Sequence, residues 1–235
     1  MLAEAWQFIL QHPDRFFAAL TRHVELSAAA LAIAVAIAVP AGIAFAAKPR
    51  AALAAITLAN VGRTLPSLAV LALVMPILGT GFAPALFALT LLALPPILIN
   101  TCIAIRQVDP DIVDAARGMG MSRREIVRGV EIPIAIPVIF AGIRTAAVQV
   151  VSGAVLAAYI GGGGLGDFIT AGIAMMALPQ LFVGAVPATL LAIGTDQLFG
   201  YLQRSLTPPG LRAPSAVRVA SPRATAQASL DSASS

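Results

Sequence analysis

The sequence predicts an all-α membrane protein with about five transmembrane helices and a charged, helical loop on its cytoplasmic face. Three observations carry this. Hydrophobic residues fill 59% of the 235 positions and charged residues 11%, under half of the roughly 25% usual in a soluble domain. The mean hydropathy is +0.90. The apolar residues also fall in runs that match about 30 Å of hydrocarbon, separated by clusters of charge. The composition excludes other classes. Cys102 is the one cysteine, and the two histidines, His12 and His23, both lie near the N-terminus. That leaves no disulfide framework and little material for a zinc or Ser-His-Asp centre. Catalytic residues, metals and cofactors are not expected. The excess of 15 basic over 11 acidic residues bears on membrane topology, not on nucleic acid.

The elements follow in order. Residues 1–25 mix charge with Trp6, Phe8, Phe16 and Phe17, which suits an amphipathic helix at the interface with membrane lipid. No positive n-region precedes an apolar core, so a cleavable leader is not predicted. Leu26 to Ala47 is 22 residues without a charge, the first span, with Pro40 as a candidate kink. Lys48-Pro49-Arg50 makes a basic turn. The run from Ala51 to Leu78 is interrupted by Arg63 and Pro66, so it reads as one tilted helix or two broken halves; a single crossing is preferred. Phe82 to Ile105 is the third span, Ile134 to Ile160 the fourth and Gln180 to Leu202 the fifth; residues 161–179 between the last two are glycine-rich. From 204 to 235 the chain is Pro, Ser, Ala and Arg without periodicity, which predicts a disordered tail.

Orientation follows from lysine and arginine. Placing residues 48–50, 106–132 and the tail on one side gathers 11 of the 15 basic residues there. The positive-inside rule makes that side cytoplasmic, with the N-terminus outside and the C-terminus inside.

The loop at 106–132 is the most informative stretch. Asp109 is a candidate N-cap with Pro110 at the first helical position, and Asp111 and Asp114 complement the helix dipole. Gly118 and Gly120 stop that helix. Ser122-Arg123-Arg124-Glu125 has the form of a capping box that opens a second helix, and Pro133 is expected to end this amphipathic part. A solvated basic loop would show much of this pattern too. The residue types add more. Asp114-Ala115-Ala116, three residues, Gly120, nine residues, then Val130-Glu131-Ile132-Pro133 resembles the Glu-Ala-Ala signature of permease subunits of bacterial binding-protein-dependent ABC importers. Ala115, Ala116, Gly120 and Pro133 are identical to it; Asp114, Val130 and Ile132 are conservative. Arg63-Thr64-Leu65-Pro66-Ser67-Leu68, Val108-Asp109-Pro110, Ala116-Arg117-Gly118-Met119-Gly120-Met121, Gly142-Ile143-Arg144-Thr145 and the run from Tyr159 to Phe168 are similar to the osmoprotectant branch, over roughly residues 22–203.

The resemblance implies a type I ABC importer permease fold over residues 22–203, after an interfacial segment at 1–21 and before a cytoplasmic tail at 204–235. It implies an inner-membrane subunit that imports a solute such as glycine betaine, choline or carnitine. The 114–133 loop would couple it to separate ABC ATPase subunits. An extracytoplasmic solute-binding protein and a second permease, identical or similar, would complete the assembly. No P-loop is present, since the only lysine, Lys48, precedes Pro49. An ABC permease for an amino acid such as methionine is an alternative, as is an ion-gradient-driven transporter. The latter usually shows inverted repeats and midplane acids.

Two further sets are candidates. Arg63 and Arg144 are costly in hydrocarbon, and Arg144 lies about 15 Å along the helix from Ile134. They line a solute path with Thr64, Ser67, Gln149 and Ser152, or they are interhelix ties, to a backbone carbonyl or to Asp196. Gly161, Gly163 and Gly166 fit a dinucleotide pattern, but no βαβ unit surrounds them. With Gly164 they read as a tight turn at an outer gate. One tryptophan and two tyrosines are too few for an aromatic cage, so tight solute recognition is expected elsewhere.

Overall fold

The computed structural model describes residues 2–207, and these are helical almost throughout, with no strand among them. Helix α1 (Leu2–Gln11) is followed by α2 (Pro13–Ala46), α3 (Pro49–Arg63), α4 (Ser67–Leu78) and α5 (Phe82–Arg106). The loop holds α6 (Pro110–Gly118) and α7 (Arg123–Ile126). A π-helical turn, Val127–Glu131, leads into α8 (Ile132–Gly153), which tightens into a 3₁₀ segment, Ala154–Ile160. Short α9 (Gly166–Ala174) and long α10 (Leu178–Leu206) complete the fold. The tail expected from 204 lies outside the described residues from Pro208 on.

Four helical runs are long and apolar enough to cross a membrane, and α3 with α4, bent by 93° at the break, makes a fifth if the pair is taken as one span. The bend has a local cause. Pro66 cannot donate to a helical ladder and pushes Leu65 out of the α region. Leu26, Ala30, Ala34 and Ala38, spaced by four, form the fully buried stripe of α2. Helix α5 is central and packs on α2, α3, α4 and α8, while α10 packs on α8 and α9. Small residues set these distances, as expected where lipid gives helices no hydrophobic reason to associate. A Cβ on Gly42 would stand 2.7 Å from Thr101 Cβ, and one on Gly142 would stand 2.6 Å from Asn100 Cβ. Buried Cys102 donates to the Gly42 carbonyl at 3.3 Å.

Three local expectations are refined. The helix that carries the first span begins at Pro13, because the charged positions from Asp14 to Glu25 continue the same helix. Pro133 leads into the fourth span without a break in the helix, since Arg123–Ile160 runs on as one helical stretch. A proline in the first turn after a wide π turn removes no bond that geometry requires there. The glycine-rich stretch after Gly161 contains a helix, α9, where the composition suggested only a turn.

Candidate functional site

The loop is built by local chemistry. Asp109 accepts a hydrogen bond from the Asp111 N–H at 2.9 Å, capping α6, and Pro110 opens it. Its far end is a Schellman motif: the Met121 N–H donates to the Ala116 carbonyl at 3.2 Å and the Gly120 N–H to the Arg117 carbonyl at 3.0 Å. That geometry needs the left-handed φ of +85° that Gly120 adopts. The Ser122–Glu125 capping box is complete in both directions, and its Ser122 hydrogen bonds hold the Glu125 carboxyl below the usual carboxylate range. Ala116 on α6 and Ile126 on α7 are buried. Asp114 and Ala115 face outward, with Arg117 donating to Asp114 at 2.7 Å. Val130, Ile132 and Pro133 are half-buried where the π turn enters α8.

Arg144 has a partner. Its Nε donates to Asp196 Oδ1 at 2.7 Å and its Nη2 to Oδ2 at 2.6 Å, a bidentate pair that fastens α8 to α10. Close by, Gly200 lets the guanidinium lie flat against α10: a Cβ there would stand 3.1 Å from Nη1. Gln203 adds a second tie, donating to the Pro137 carbonyl at 2.9 Å. Arg63 and Thr64 are exposed at the end of α3, and Ser67 is half-buried at the start of α4. The structure does not bring these three to Arg144, because α5 packs against both groups of helices while α3 and α8 have no substantial contact. Gln149 is half-buried and Ser152 exposed on α8.

The glycine turn is a junction. Gly161, Gly163 and Gly164 have φ of +72°, +79° and +100°. A Cβ on Gly166 would collide with the Val155 carbonyl oxygen, so this glycine is required for close approach. The Gly81 N–H donates to Ile160 O at 2.7 Å, joining the α4–α5 turn to this one. From α2, Arg22 donates to the Gly162 carbonyl at 3.3 Å, and its guanidinium sits 4.1 Å from the Phe82 ring centroid. Buried His23 lies beneath Gly164 and hydrogen-bonds the Val151 carbonyl through Nε2 at 3.0 Å.

Residues 24–208 match the family described as the binding-protein-dependent transport system inner membrane component. The chain belongs to this family. The permease is 44% identical over 205 residues to the carnitine transport permease protein OpuCB of Listeria monocytogenes, covering 87% of this chain and 94% of that one. It is 42% identical to the glycine betaine/carnitine/choline transport system permease protein OpuCB of Bacillus subtilis, over 81% and 88% of the two chains. It is 40% identical to the choline transport system permease protein OpuBB of the same organism, over 88% and 95%. Its fold is that of solved ABC importers. The MetNI methionine ABC transporter superposes with a TM-score of 0.71 at 20% identity, over 83% of this chain and 97% of that one. An amino acid ABC transporter superposes at 0.70 with 19% identity, over 85% and 97%. The permease is thus a membrane-embedded, multi-pass transport subunit and not itself an enzyme. It works with ATPase and solute-binding partners.

The permease also holds polar groups that sequence reasoning passed over. Arg22 and His23 stand in a charged stretch that reads as interfacial, although their long-range contacts fix the glycine turn. The pair between Arg123 and Glu131 joins residues that regular helix spacing would keep apart.

Proposed function

We propose that this permease forms the path for a compact quaternary-ammonium osmoprotectant such as glycine betaine, carnitine or choline. The observation that carries this is the identity to carnitine, choline and glycine betaine permeases, which extends over most of their length. ATPase subunits seat on the loop made by Asp114, Ala115, Ala116, Gly120, Val130, Ile132 and Pro133. Two apolar side chains support that docking: Ile112 and Met119 are 45% and 76% exposed on an otherwise polar loop, as anchors awaiting a groove would be. A second permease, identical or similar, completes the path. Thr64, Ser67, Gln149 and Ser152 give it weak polar contacts, and the turn at Gly161, Gly163, Gly164 and Gly166 forms its outer gate. Tyr159 is exposed beside the glycine turn and Tyr201 near the opposite, C-terminal end of α10, so the two tyrosines do not make a cage; affinity resides in the solute-binding protein.

The test is uptake into proteoliposomes that contain the complete importer and its binding protein. Labelled glycine betaine, carnitine, choline and methionine are compared, and ATP-dependent uptake of at least one quaternary ammonium is expected. Methionine uptake with none of the other three would move the permease to the amino-acid importers.

The inner membrane is the proposed location, with the N-terminus outside and the C-terminus cytoplasmic. Met176, 92% exposed in the α9–α10 turn, is a better probe of the outer face than Gly164, where a Cβ would stand 3.2 Å from His23 Nδ1. In a Cys102→Ala background, Met176→Cys should react with an impermeant thiol reagent on intact spheroplasts. Arg124→Cys should react only after permeabilisation. The opposite pattern would invert the topology.

A further inference from the structure

We propose that Glu131 is a positioning residue for coupling: its ion pair with Arg123 locks α7 against rotation about the α8 axis, so that movement at the loop is delivered to the span. This rests on reading the 114–133 loop as the ATPase contact.

The pair exists because of the π turn. Arg123 and Glu131 are eight residues apart, which in a regular α-helix places them about 80° apart around the axis. The i→i+5 turn at Val127–Glu131, closed by the Ile132 N–H donating to the Val127 carbonyl, absorbs one extra residue. The two then stand as residues seven apart would, within about 20° of one face and about two turns apart. Arg123 Nη1 reaches down that face to Glu131 Oε1. A regular helix would lose this contact, so the pair reports the rotational setting of α7 relative to α8.

Burial separates this carboxylate from an ordinary surface charge. Glu131 is 4% exposed, the only buried carboxylate among the described residues, whereas the Arg123 side chain is half-exposed. Glu131 Oε2 is buried without a hydrogen-bond partner. A helix that needed only to be helical would be more stable with an apolar residue there, since an unpaired buried carboxylate oxygen is costly. The retained charge, with one acceptor unused, suits a contact that is made in one setting of the helix and released in another. Ile126, buried on the same short helix, keeps α7 seated while the pair sets its angle.

The experiment uses the complete reconstituted importer and reads solute transported per ATP hydrolysed, with the amount of ATPase co-purified as the measure of assembly. Arg123→Ala and Glu131→Leu should each lower the solute-to-ATP ratio about tenfold with assembly unchanged, and the double variant should be no worse than either single one. Arg123→Lys should keep most of the ratio. Additive losses, or an unchanged ratio, would overturn the proposal. Loss of assembly with the ratio per complex preserved would overturn it as well, because that is what a structural tie predicts. Gly120→Val in the same system separates the two levels of the claim. If it abolishes uptake while both pair variants transport normally, the loop couples without the pair. If it too transports normally, the loop reading itself fails.

Discussion

Gly120→Val is expected to insert and assemble in the membrane yet lose ATP-driven uptake almost completely. The turn itself has room, since a Cβ on Gly120 meets nothing within 4 Å. The obstacle is conformational. The Schellman closure of α6 requires φ of +85°, where L-residues cost about 1–2 kcal/mol and β-branched ones more. Valine would therefore unwind the turn, release the Met121 to Ala116 hydrogen bond and turn α6 away from α7. Open space around Gly120 also means that the added side chain points at whatever docks there. Asparagine tolerates the left-handed region, so Gly120→Asn should keep substantial uptake. Initial rates of solute uptake, normalised to permease in the membrane, make the comparison. Equal rates for the valine and asparagine variants would show that turn geometry is not what the loop contributes.

Asp196→Ala is expected to remove most of the assembled importer from the membrane, and to do so through stability. Deleting the carboxylate leaves the Arg144 guanidinium without its bidentate partner on a span, and α10 loses a main attachment to α8. Abundance should fall several-fold, as marginal proteins do when cleared from cells. Replacing both partners with leucine should restore much of it, because an apolar pair carries no unpaired charge. Uptake per remaining complex should be close to wild type in the double variant. If complex levels recover but uptake per complex stays low, Arg144 belongs to the solute path rather than to the scaffold.

What could be read from the sequence, and what could not, divides along the range of the interaction. Asp109 with Pro110, and Ser122 with Glu125, act on backbone groups within three positions, so caps and turn of the loop are visible in a string of letters. The apolar spans are visible for the same reason. Gly120 and Gly166 look alike in sequence but differ in cause: one supplies a left-handed φ, the other makes room for the Val155 carbonyl. Composition cannot separate those causes, and α9 stayed hidden in a stretch that looks like a turn. Gly172 and Gly184 are of the second kind: Cβ atoms there would stand 2.5 Å from Leu181 N and from Leu165 O. Arg144 and Asp196, 52 positions apart, were nameable as partners because a guanidinium within a membrane span demands one. Arg123 and Glu131 were not, because pattern reading assumes a regular helix and the π turn departs from it.

The right-angled break between α3 and α4 has a consequence for how cells make this subunit. At 1.5 Å per residue, helices of 15 and 12 residues reach only about 22 Å and 18 Å, so neither crosses the hydrocarbon alone. The irregular backbone at Thr64–Pro66 then falls at membrane depth, where it is tolerated only against protein or water. Arg63 and Thr64 stand open beside it in the single subunit. A chain made with nothing packed over this bend would present it directly to lipid, where backbone groups left without partners are costly. Balanced synthesis of the subunits would then be a structural requirement, and an excess of this chain would be short-lived.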